Sequence, residues 1–547
     1  MSTSTFRVLA ADKLAQEGLD FITDQSDCEL VNKPGLSEEE YATLIQDCDA
    51  MIVRSGIKVT AKILENPGKL KVIARAGVGV DNIDLKAATE KGILVVNTAA
   101  ASTITTAEHA FALMMSLLRN VGPAYKGMTE GKWDRNKFTG RQLHGKSVGV
   151  VGFGRIGQTF AERALAFGMD VVAYDPFINA ETMLDGRVKM FKNFEDILPH
   201  ADILSFHVPL NDATRSMLNK ETYKLCRDGL YVVNAARGGV VDEADLLEAV
   251  ESGKVAAAAL DVFTSEPPAE DDPLRNHPQI LITPHLGAST KEAQQAVSVD
   301  AAENCLTYLR GDGIVGAVNA GNLKINLSDL QEKYVDLAGR MAKLISPMIT
   351  RGISEVSIGL TGKELAAASS MIERTALVGI FENHLTDPVN IINVNQVAEA
   401  RSIKVTTTLC DDEKVQPGLT FEIKGPQGAV DSETKEGDKV RRITGRVYDD
   451  LKPRIVEING YFMDMIPEGP MVILLNEDRP GMIGLVGTTF GGENVNIADM
   501  AISRRDTTAM MVLKVDSEPT EAQLDAIKSK DGILKTAAIN LPATNGT

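Results

Sequence analysis

The stretch VGVVGFGRIGQTFAERALAFGMDVVAYDP, residues 148–176, decides the fold of the first half of the chain. A short apolar run ends in Gly152-x-Gly154-x-x-Gly157, a helical segment follows, and a second apolar run ends in Asp175. The three glycines permit, in order, a tight turn, close approach of the backbone to a pyrophosphate, and close packing of helix on strand. Asp175 is suited to accept hydrogen bonds from ribose hydroxyls and to repel a 2′-phosphate. The stretch therefore predicts a dinucleotide site that prefers NAD to NADP.

On both sides of this stretch, short apolar runs alternate with helical segments. The runs within residues 6–97 and within 147–284 end in polar residues or glycine. This alternation is typical of βαβ units with a parallel sheet. The six buried runs of the second group predict one doubly wound domain, so the fold class of this half is α/β.

The pattern changes beyond about residue 318. Two helices are predicted over 329–349 and 363–383, followed by strand candidates and a hairpin turn at Asn459-Gly460, which is an α+β pattern. From MVILLN at 471 onward, strand and helix signals read βαββαβ, with the first helix starting at Arg479. That order predicts a ferredoxin-like module.

Composition and charge exclude several classes of protein. The 547 residues carry 57 Lys and Arg against 75 Asp and Glu, a formal charge of −18, which lacks the basic footprint of nucleic-acid binding. No apolar run is long enough to span a membrane, and no leader segment is apparent. The five cysteines are scattered without metal or disulfide spacing. We therefore expect several domains, no metal, and a reducing, cytoplasmic compartment.

Three charged residues follow candidate strands of the doubly wound domain: Arg237 in NAARGGVVDE, Glu266 in LDVFTSEPP and His285 in TPHLGAST. Because the carboxyl ends of parallel strands meet at one edge of a sheet, the three side chains are expected to converge. The set suits hydride removal from a secondary alcohol. His285 would take the hydroxyl proton, Glu266 would hydrogen-bond the other ring nitrogen, and Arg237 would polarise the oxygen and pair with a carboxylate.

The other histidines lack a paired carboxylate at a strand end and are expected to be structural. They are His109, His144, His200, His207, His277 and His384. His207 ends a strand candidate, so it is also a candidate for the wall of the cofactor cleft. The cysteines have no adjacent base, which argues against a thiol mechanism.

A second anion site is predicted in the first group of runs. Arg54 in IVRSG and Arg75 in IARAG each follow a candidate strand, and the loop 76–79 can turn backbone N–H groups toward an anion. Two arginines beside such a loop fit a substrate with a carboxylate at one end and a phosphate at the other.

Near the C-terminus, NEDRPGM at 476–482 predicts a helix start. Asp478 is the expected N-cap and Pro480 an early helix residue, which leaves free N–H groups beside Asn476 and Asn496. Such a helix end can bind an amino-acid carboxylate. The alternative is an ordinary capped helix in a dimerisation module.

The motifs GFGRIG with Asp175, NAARGGVVDE, ALDVFTSEPP and TPHLGASTKEA are together similar to those of the D-isomer-specific 2-hydroxyacid dehydrogenases, over about residues 5–317. VRSGIKVT, ARAGVGVDNID, GKWDRNKF and the C-terminal half resemble the long members, which oxidise 3-phosphoglycerate with NAD. The resemblance implies a flavodoxin-like substrate lobe with an inserted Rossmann NAD-binding domain, then an α+β intervening domain and a C-terminal ferredoxin-like ACT domain. The implied bounds are 5–98 with 286–317, 99–285, 318–466 and 470–547.

The resemblance also implies roles for individual residues. Implied cofactor contacts are Val78, Gly152, Gly154, Arg155, Ile156, Gly157, Asp175, Val208, Pro209, Ala235, Ala236, Arg237, Asp261, His285, Gly287 and Ala288. Implied substrate contacts are Arg54, Ser55 and Arg75 around the phosphate, Gly77, Val78 and Gly79 around the carboxylate, and Arg135 from a second subunit of a homodimer or homotetramer. Implied contacts to L-serine as effector are Asn476, Asp478 and Asn496. Asn476 and Asp478 stand where serine-sensing bacterial relatives commonly carry His and Asn.

Two other functions remain open at this point. One is a relative acting on glycerate, lactate or a similar small acid, although such relatives typically end near the position of residue 317. The other is an NAD-dependent sensor or corepressor on the same fold, which can retain the same Arg, Glu and His. A turnover assay separates the second from an enzyme.

Overall fold

The computed structural model describes residues 5–320, 327–349, 352–382, 384–385, 389–411, 416–425 and 440–544. They form four β-sheets, two of them parallel or nearly so and two mostly antiparallel. The predicted fold class, α/β followed by α+β modules, is confirmed. No helix within these ranges is long and apolar enough to cross a membrane.

The first sheet is parallel, with strand order β2-β1-β3-β4-β5. Its strands are β1 (Phe6–Ala10), β2 (Cys28–Asn32), β3 (Ala50–Val53), β4 (Val72–Arg75) and β5 (Leu94–Asn97). Its helices are α1 (Gln16–Thr23), α2 (Glu38–Leu44) and α3 (Leu85–Glu90). β3 is buried along its whole length, which is why its sequence reads as an unbroken apolar run.

The second sheet has eight strands in the order β13-β12-β11-β10-β6-β7-β9-β8, all parallel except β8. Its strands are β6 (Ser147–Val151), β7 (Asp170–Tyr174), β8 (Thr182–Met183), β9 (Val188–Phe191), β10 (Ile203–Phe206), β11 (Leu230–Asn234), β12 (Val255–Leu260) and β13 (Ile280–Ile282). Its helices are α4 (Thr103–Leu118), α5 (Val121–Thr129), α6 (Arg155–Ala166), α7 (Phe194–Ile197), α8 (Lys220–Tyr223) and α9 (Glu243–Glu251). The six predicted strands are present, and chain order reverses direction at β6, which is where open α/β sheets bind ligands.

The chain then returns to the first sheet through α10 (Lys291–Arg310). Val297, Ala301 and Cys305 of this helix are buried in one core with Val8 and Ile52. The first sheet with its helices forms the first lobe, and the second sheet with its helices forms the second lobe. The first lobe is completed by a helix that follows the second sheet in sequence, as expected for one domain inserted into another.

The third sheet has the order β15-β14-β16-β17-β18-β19 and carries helices on one face. Its strands are β14 (Glu355–Thr361), β15 (Lys404–Cys410), β16 (Gly418–Lys424), β17 (Val440–Val447), β18 (Pro453–Ile458) and β19 (Tyr461–Met465), and its helices are α11 (Asp329–Ile345), α12 (Ser369–Phe381) and α13 (Val394–Ala400). The helix predicted over 363–383 begins later than expected, because residues 363–368 form a 3-10 turn; Asn383 lies outside the described residues. The predicted hairpin is present, with Asn459 and Gly460 both at positive φ, as a type I′ turn requires.

The fourth sheet is antiparallel, in the order β21-β22-β20-β23. Its elements are β20 (Gly469–Glu477), α14 (Met482–Gly492), β21 (Ile497–Arg505), β22 (Thr508–Val515), α15 (Glu521–Lys528) and β23 (Ile533–Leu541). The predicted ferredoxin-like order is confirmed. One face of the sheet packs on α14 and α15, and the other contributes Met471, Ile473, Met510, Val512 and Leu541 to the core of the third sheet's domain.

Candidate active site

The turn from β6 into α6 forms a cradle of the predicted kind. Gly152 has φ +90°, and a Cβ there would meet the backbone oxygen of His207 at 2.7 Å. A Cβ at Gly157 would overlap the carbonyl oxygen of Gly152, so helix and strand touch at this point. A Cβ at Gly154, the N-cap of α6, would meet nothing within 4 Å. The backbone at the helix N-terminus is therefore open to an approaching pyrophosphate, which fits a dinucleotide.

Asp175 lies at the end of the neighbouring strand and braces this cradle. Its Oδ2 accepts a hydrogen bond from the backbone N–H of Phe153 at 2.9 Å, and its Oδ1 accepts one from Phe177 at 2.9 Å. Arg155 and Ile156 open the helix directly behind. The carboxylate thus lies beside the glycine turn, as the sequence predicts for a ribose-binding acid.

Other predicted cofactor residues lie at the same edge of the sheet. Val208 and Pro209 follow β10, Ala235 and Ala236 follow β11, and Gly287 and Ala288 follow β13. His207 accompanies them: its Nε2 and the Ser205 Oγ are 2.9 Å apart, and its ring contacts Phe160 at 5.0 Å between centroids. Burial lowers the pKa of His207 to about 3, so this imidazole stays neutral.

The predicted acid–base pair is formed. His285 Nδ1 lies 2.7 Å from Glu266 Oε2, and Glu266 Oε1 accepts the backbone N–H of Phe263 at 3.1 Å. Both side chains are partly exposed, at 48% and 37%. Within the described residues Nε2 of His285 has no hydrogen-bond partner, so it is available to a ligand. The backbone of His285 is held at φ +54°, an uncommon conformation for a residue with a side chain.

Arg237 spans the gap between the two lobes. Its Nε donates to Asp81 Oδ2 at 3.0 Å, and its Nη1 donates to the backbone oxygen of Ala236 at 2.6 Å. Its Nη2 lies against Gly79, because a Cβ on that glycine would overlap it. The arginine of the NAD-binding side therefore touches the glycine loop of the other lobe.

Arg75 and Arg54 lie on the facing lobe and, with Arg237, form what we call the cationic group. Arg75 Nη1 donates to the backbone oxygen of Ala76 at 2.8 Å, and its guanidinium fills the space beside Gly77. Burial, with the nearby charges of Arg237 and Arg54, lowers the pKa of Arg75 to about 10. The carboxylates of Asp81 and Asp12 act on Arg75 in the opposite direction, so the three arginines are partly balanced but outnumber the acidic groups, which suits an anion.

The first lobe supports this group through its backbone. Arg54 donates its N–H to Asp12 at 2.7 Å and its Nη1 to the backbone oxygen of Lys13 at 3.1 Å. Gly77 donates its N–H to the Thr98 hydroxyl at 2.7 Å. Ser55 is exposed and directly follows Arg54.

Comparisons with known proteins agree with this geometry. Three family models match: the NAD binding domain of the D-isomer specific 2-hydroxyacid dehydrogenases over residues 111–287, the D-3-phosphoglycerate dehydrogenase intervening domain over 330–459, and the ACT domain over 471–532. The D-3-phosphoglycerate dehydrogenase of Archaeoglobus fulgidus is 38% identical over 98% of this chain and 100% of its own length. That of Bacillus subtilis is 35% identical over the same shares.

The chain belongs to the D-3-phosphoglycerate dehydrogenase family. Among solved structures, the NAD-dependent formate dehydrogenase of Staphylococcus aureus in complex with NAD is similar with a TM-score of 0.52 and 27% identity. It covers 57% of this chain, and 99% of its own chain is matched. A glyoxylate reductase from Paecilomyes thermophila covers 57% of this chain and 98% of its own, with a TM-score of 0.53 and 29% identity. The NAD-binding domain and the family resemblance predicted from the motifs are confirmed.

One expectation about this site is wrong. His109 was expected to lack a carboxylate, yet its Nε2 lies 3.1 Å from Asp261 Oδ1 and 3.3 Å from the Thr283 hydroxyl. Asp261 is fully buried, and its oxygens also accept the N–H groups of Leu286 and Gly287, each at 2.8 Å. Burial works to raise the pKa of Asp261, but the hydrogen bonds from His109, Thr283 and Leu286 lower it. Asp261 therefore lies beneath the loop that carries His285 and holds it from below.

Arg135 lies in the segment between α5 and β6. It begins a short 3-10 turn, residues 135–138, and is exposed. Tyr125 and Trp133 nearby are 71% and 78% exposed. Within the described part of this chain, Arg135 contacts no other predicted site residue, so a role at the site depends on a second subunit.

The predicted effector site differs from expectation. Helix α14 begins at Met482 with Gly481 as its N-cap at φ +93°, so Asp478 is not the N-cap. Asp478 instead pairs with Arg504 at 3.3 Å. Asn476 is buried, with Oδ1 unpartnered among the described residues, and Asn496 donates to Asp516 at 2.7 Å. The chain turns at Gly481, whose backbone is left-handed, directly before the helix. The helix therefore begins three residues later than the polar residue Asp478 predicts. Asn476 is the penultimate residue of β20, and Asp478 directly follows that strand.

The described residues contain no cluster of His, Cys, Asp or Glu that could hold a metal ion. All five cysteines are free.

Proposed function

We propose that the protein oxidises 3-phospho-D-glycerate to 3-phosphooxypyruvate with NAD, the first step of the phosphorylated route to L-serine. The observation that carries the proposal is the pairing of His285 with Glu266 at 2.7 Å at the sheet edge that also carries Arg237, with Arg75 and Arg54 on the facing lobe. The full-length relatives that are D-3-phosphoglycerate dehydrogenases by name support the same reaction.

The chemistry follows from the hydrogen bonds of the pair. Glu266 fixes Nδ1 of His285 as the protonated ring nitrogen, so Nε2 is the basic atom that accepts the C2 hydroxyl proton. The glutamate then stabilises the imidazolium. Arg237 polarises the same oxygen and pairs with the substrate carboxylate. Bound NAD supplies the hydride acceptor.

Substrate recognition rests on the cationic group. We assign the phosphate to Arg54 and Arg75, with Ser55 beside them, and the carboxylate to the backbone of residues 77–79. Because the N–H of Gly77 already donates to the Thr98 hydroxyl, we assign the carboxylate to the N–H groups of Val78 and Gly79 within this loop. Asp175, next to the glycine turn, supports NAD over NADP.

We also propose the domain limits 5–98 with 286–317, 99–285, 318–466 and 470–547, and a cytoplasmic homodimer or homotetramer. The exposed aromatic residues near Arg135 support contact with a second subunit that receives this arginine. The free cysteines support a reducing compartment.

The ACT domain supports feedback, with L-serine as the proposed effector, and the packing offers a route for it. The fourth sheet shares a core with the intervening domain, so the two are expected to move together. The intervening domain in turn reaches the substrate lobe: Asn390 donates to the backbone oxygen of Gly92 at 2.8 Å, and Ile392 is buried in that lobe's core. Arg374 holds this segment by donating to the backbone oxygen of Ile391 at 2.6 Å.

The test is the initial rate of NADH formation with 3-phosphoglycerate, for the wild type and for His285→Ala, each with and without L-serine. We expect turnover by the wild type and a loss of roughly 10²- to 10⁴-fold in the variant, since that is what a positioned base contributes. Turnover of the variant within tenfold of wild type would show that the base is misassigned. No turnover by either protein, with NADH still bound, would favour a sensor.

A further inference from the structure

Asp81 contacts the reacting machinery from the opposite lobe, and neither the motifs nor the predicted roles assign it a part. It belongs to the segment ARAGVGVDNID, just after the glycine loop, and its Oδ2 lies 3.0 Å from Arg237 Nε. The two residues are 156 positions apart in sequence. The contact therefore joins the two lobes.

The guanidinium of Arg237 has three sides, and the structure fixes two of them. Nε is held by the Asp81 carboxylate, and Nη1 is held by the backbone oxygen of Ala236 at 2.6 Å. Nη2 lies against Gly79 and has no hydrogen-bond partner within the described residues. The side left open is the one that faces the loop assigned to the substrate carboxylate.

Electrostatics gives a reason for a carboxylate at this place. Arg237 and Arg54 each lie close enough to Arg75 to act on its charge, and like charges repel; Asp81 acts on Arg75 in the opposite direction. Without a carboxylate at Nε, repulsion by Arg75 would push the Arg237 guanidinium away from the place where the substrate carboxylate is expected to bind. Asp81 supplies that anion without occupying Nη2.

A purely structural role does not explain the pair well. Asp81 is 64% exposed and Arg237 is 25% exposed. Ion pairs this open to solvent contribute little to the stability of a fold. The pair is better explained by what it does to the orientation of Arg237.

We propose that Asp81 is a positioning residue for Arg237: it locks the Nε side of the guanidinium so that Nη2 meets the substrate carboxylate as the lobes close. The inference rests on the proposed function, because the substrate carboxylate is part of it. The opposite role would be competition, in which Asp81 occupies Arg237 until the substrate carboxylate displaces it. In that case removing Asp81 would lower KM for 3-phosphoglycerate.

The experiment compares Asp81→Ala and Asp81→Asn with wild type in the full-length protein, using 3-phosphoglycerate and NAD. We expect Asp81→Ala to lower kcat/KM by roughly 10- to 100-fold, as small misplacements of a positioned group do, with the Kd of NADH unchanged. Asp81→Asn keeps an oxygen that accepts from Nε and should recover part of the loss. The Arg237→Lys variant lacks the guanidinium whose Nε–H donates to Asp81. In that variant, adding Asp81→Ala should change kcat/KM less than threefold.

The matched control is Asp84→Ala. Asp84 lies three residues further along the same segment, where it caps α3 by accepting the N–H of Ala87 at 2.9 Å and does not touch Arg237. Its removal should leave kcat/KM within threefold of wild type. If it costs as much as Asp81→Ala, the loss comes from the fold of the segment and the proposal is wrong.

Two further outcomes would overturn the inference. A lower KM for 3-phosphoglycerate in Asp81→Ala would identify the carboxylate as a competitor of the substrate. Equal losses from Asp81→Ala in the wild-type and Arg237→Lys backgrounds would show that Asp81 acts independently of Arg237. Each of these outcomes requires that the wild-type protein turns over 3-phosphoglycerate. If the wild type is inactive, the proposed function is wrong, whatever Asp81 does.

Discussion

Replacing Gly154 by alanine separates cofactor binding from folding. Gly154 has φ −71°, which alanine adopts without strain, and its Cβ would meet no protein atom within 4 Å. Such a substitution stabilises a fold by roughly 0.4–1 kcal/mol, because it restricts the unfolded chain. The added methyl group would project into the space assigned to the pyrophosphate. We therefore expect a protein as stable as wild type or slightly more so, with NADH bound at least tenfold more weakly, a loss of about 1.4 kcal/mol or more.

The assay is calorimetric titration with NADH alongside thermal unfolding of the protein without nucleotide. Gly491→Ala is the control, since a Cβ at this glycine of α14 also meets nothing within 4 Å and the site is in another domain. It should leave the Kd of NADH unchanged. Gly157→Ala should instead lower Tm, because its Cβ would overlap the backbone oxygen of Gly152 and force helix and strand apart. A Kd of Gly154→Ala within threefold of wild type would refute the placement of the pyrophosphate.

Three other substitutions test separate parts of the account. Glu266→Gln removes the charge that stabilises the imidazolium of His285 and leaves one acceptor oxygen for the two N–H groups, of His285 and Phe263, that the carboxylate accepts. We expect kcat to fall by roughly 10²-fold or more with the Kd of NADH unchanged; an unaltered kcat contradicts the assigned pair. Arg75→Met should raise KM for 3-phosphoglycerate at least about tenfold and leave unphosphorylated acids unaffected, since one charge-assisted bond to the phosphate is lost; equal losses on both substrates argue against a phosphate contact. Hydrogen bonds from Thr544 lower the pKa of Glu468 from 4.5 to about 2, so its carboxylate stabilises the fold above pH 4.5 and that stability is lost toward pH 2. Tm of Glu468→Gln should depend less on pH across that window than Tm of wild type, and parallel profiles would show no such linkage.

Much of the fold was predictable because its strands carry strong local signals. β6, β10 and β11 are almost entirely buried, and their sequences read as short, mostly apolar runs. β14 was missed because only Val356, Ile358 and Leu360 of EVSIGLT are large and apolar, which is too weak a signal beside the two long helical segments that flank it. β8 was missed because it has two residues, too few for any pattern.

The site was predictable where a motif carries its function within a few residues. The glycine turn and its acid are such a motif, and so is the placement of Glu266 and His285 after neighbouring strands. Asp81 and His109 were not, since their partners are distant in sequence and meet them only in the folded chain. The capping residue of α14 was mistaken because a left-handed glycine, Gly481, overrides the nearer polar candidate.

Arg54 and Arg75 are proposed to select a phosphorylated hydroxy acid, and one ratio of specificity constants tests this selection most directly. The measurement is kcat/KM for 3-phospho-D-glycerate divided by kcat/KM for D-glycerate, with NAD saturating and the wild-type protein. Two charge-assisted bonds to the phosphate, at about 1.5–3 kcal/mol each, predict a ratio of roughly 10² to 10⁴. A ratio near one, with both acids oxidised, would place Arg54 and Arg75 outside the substrate site and contradict the account.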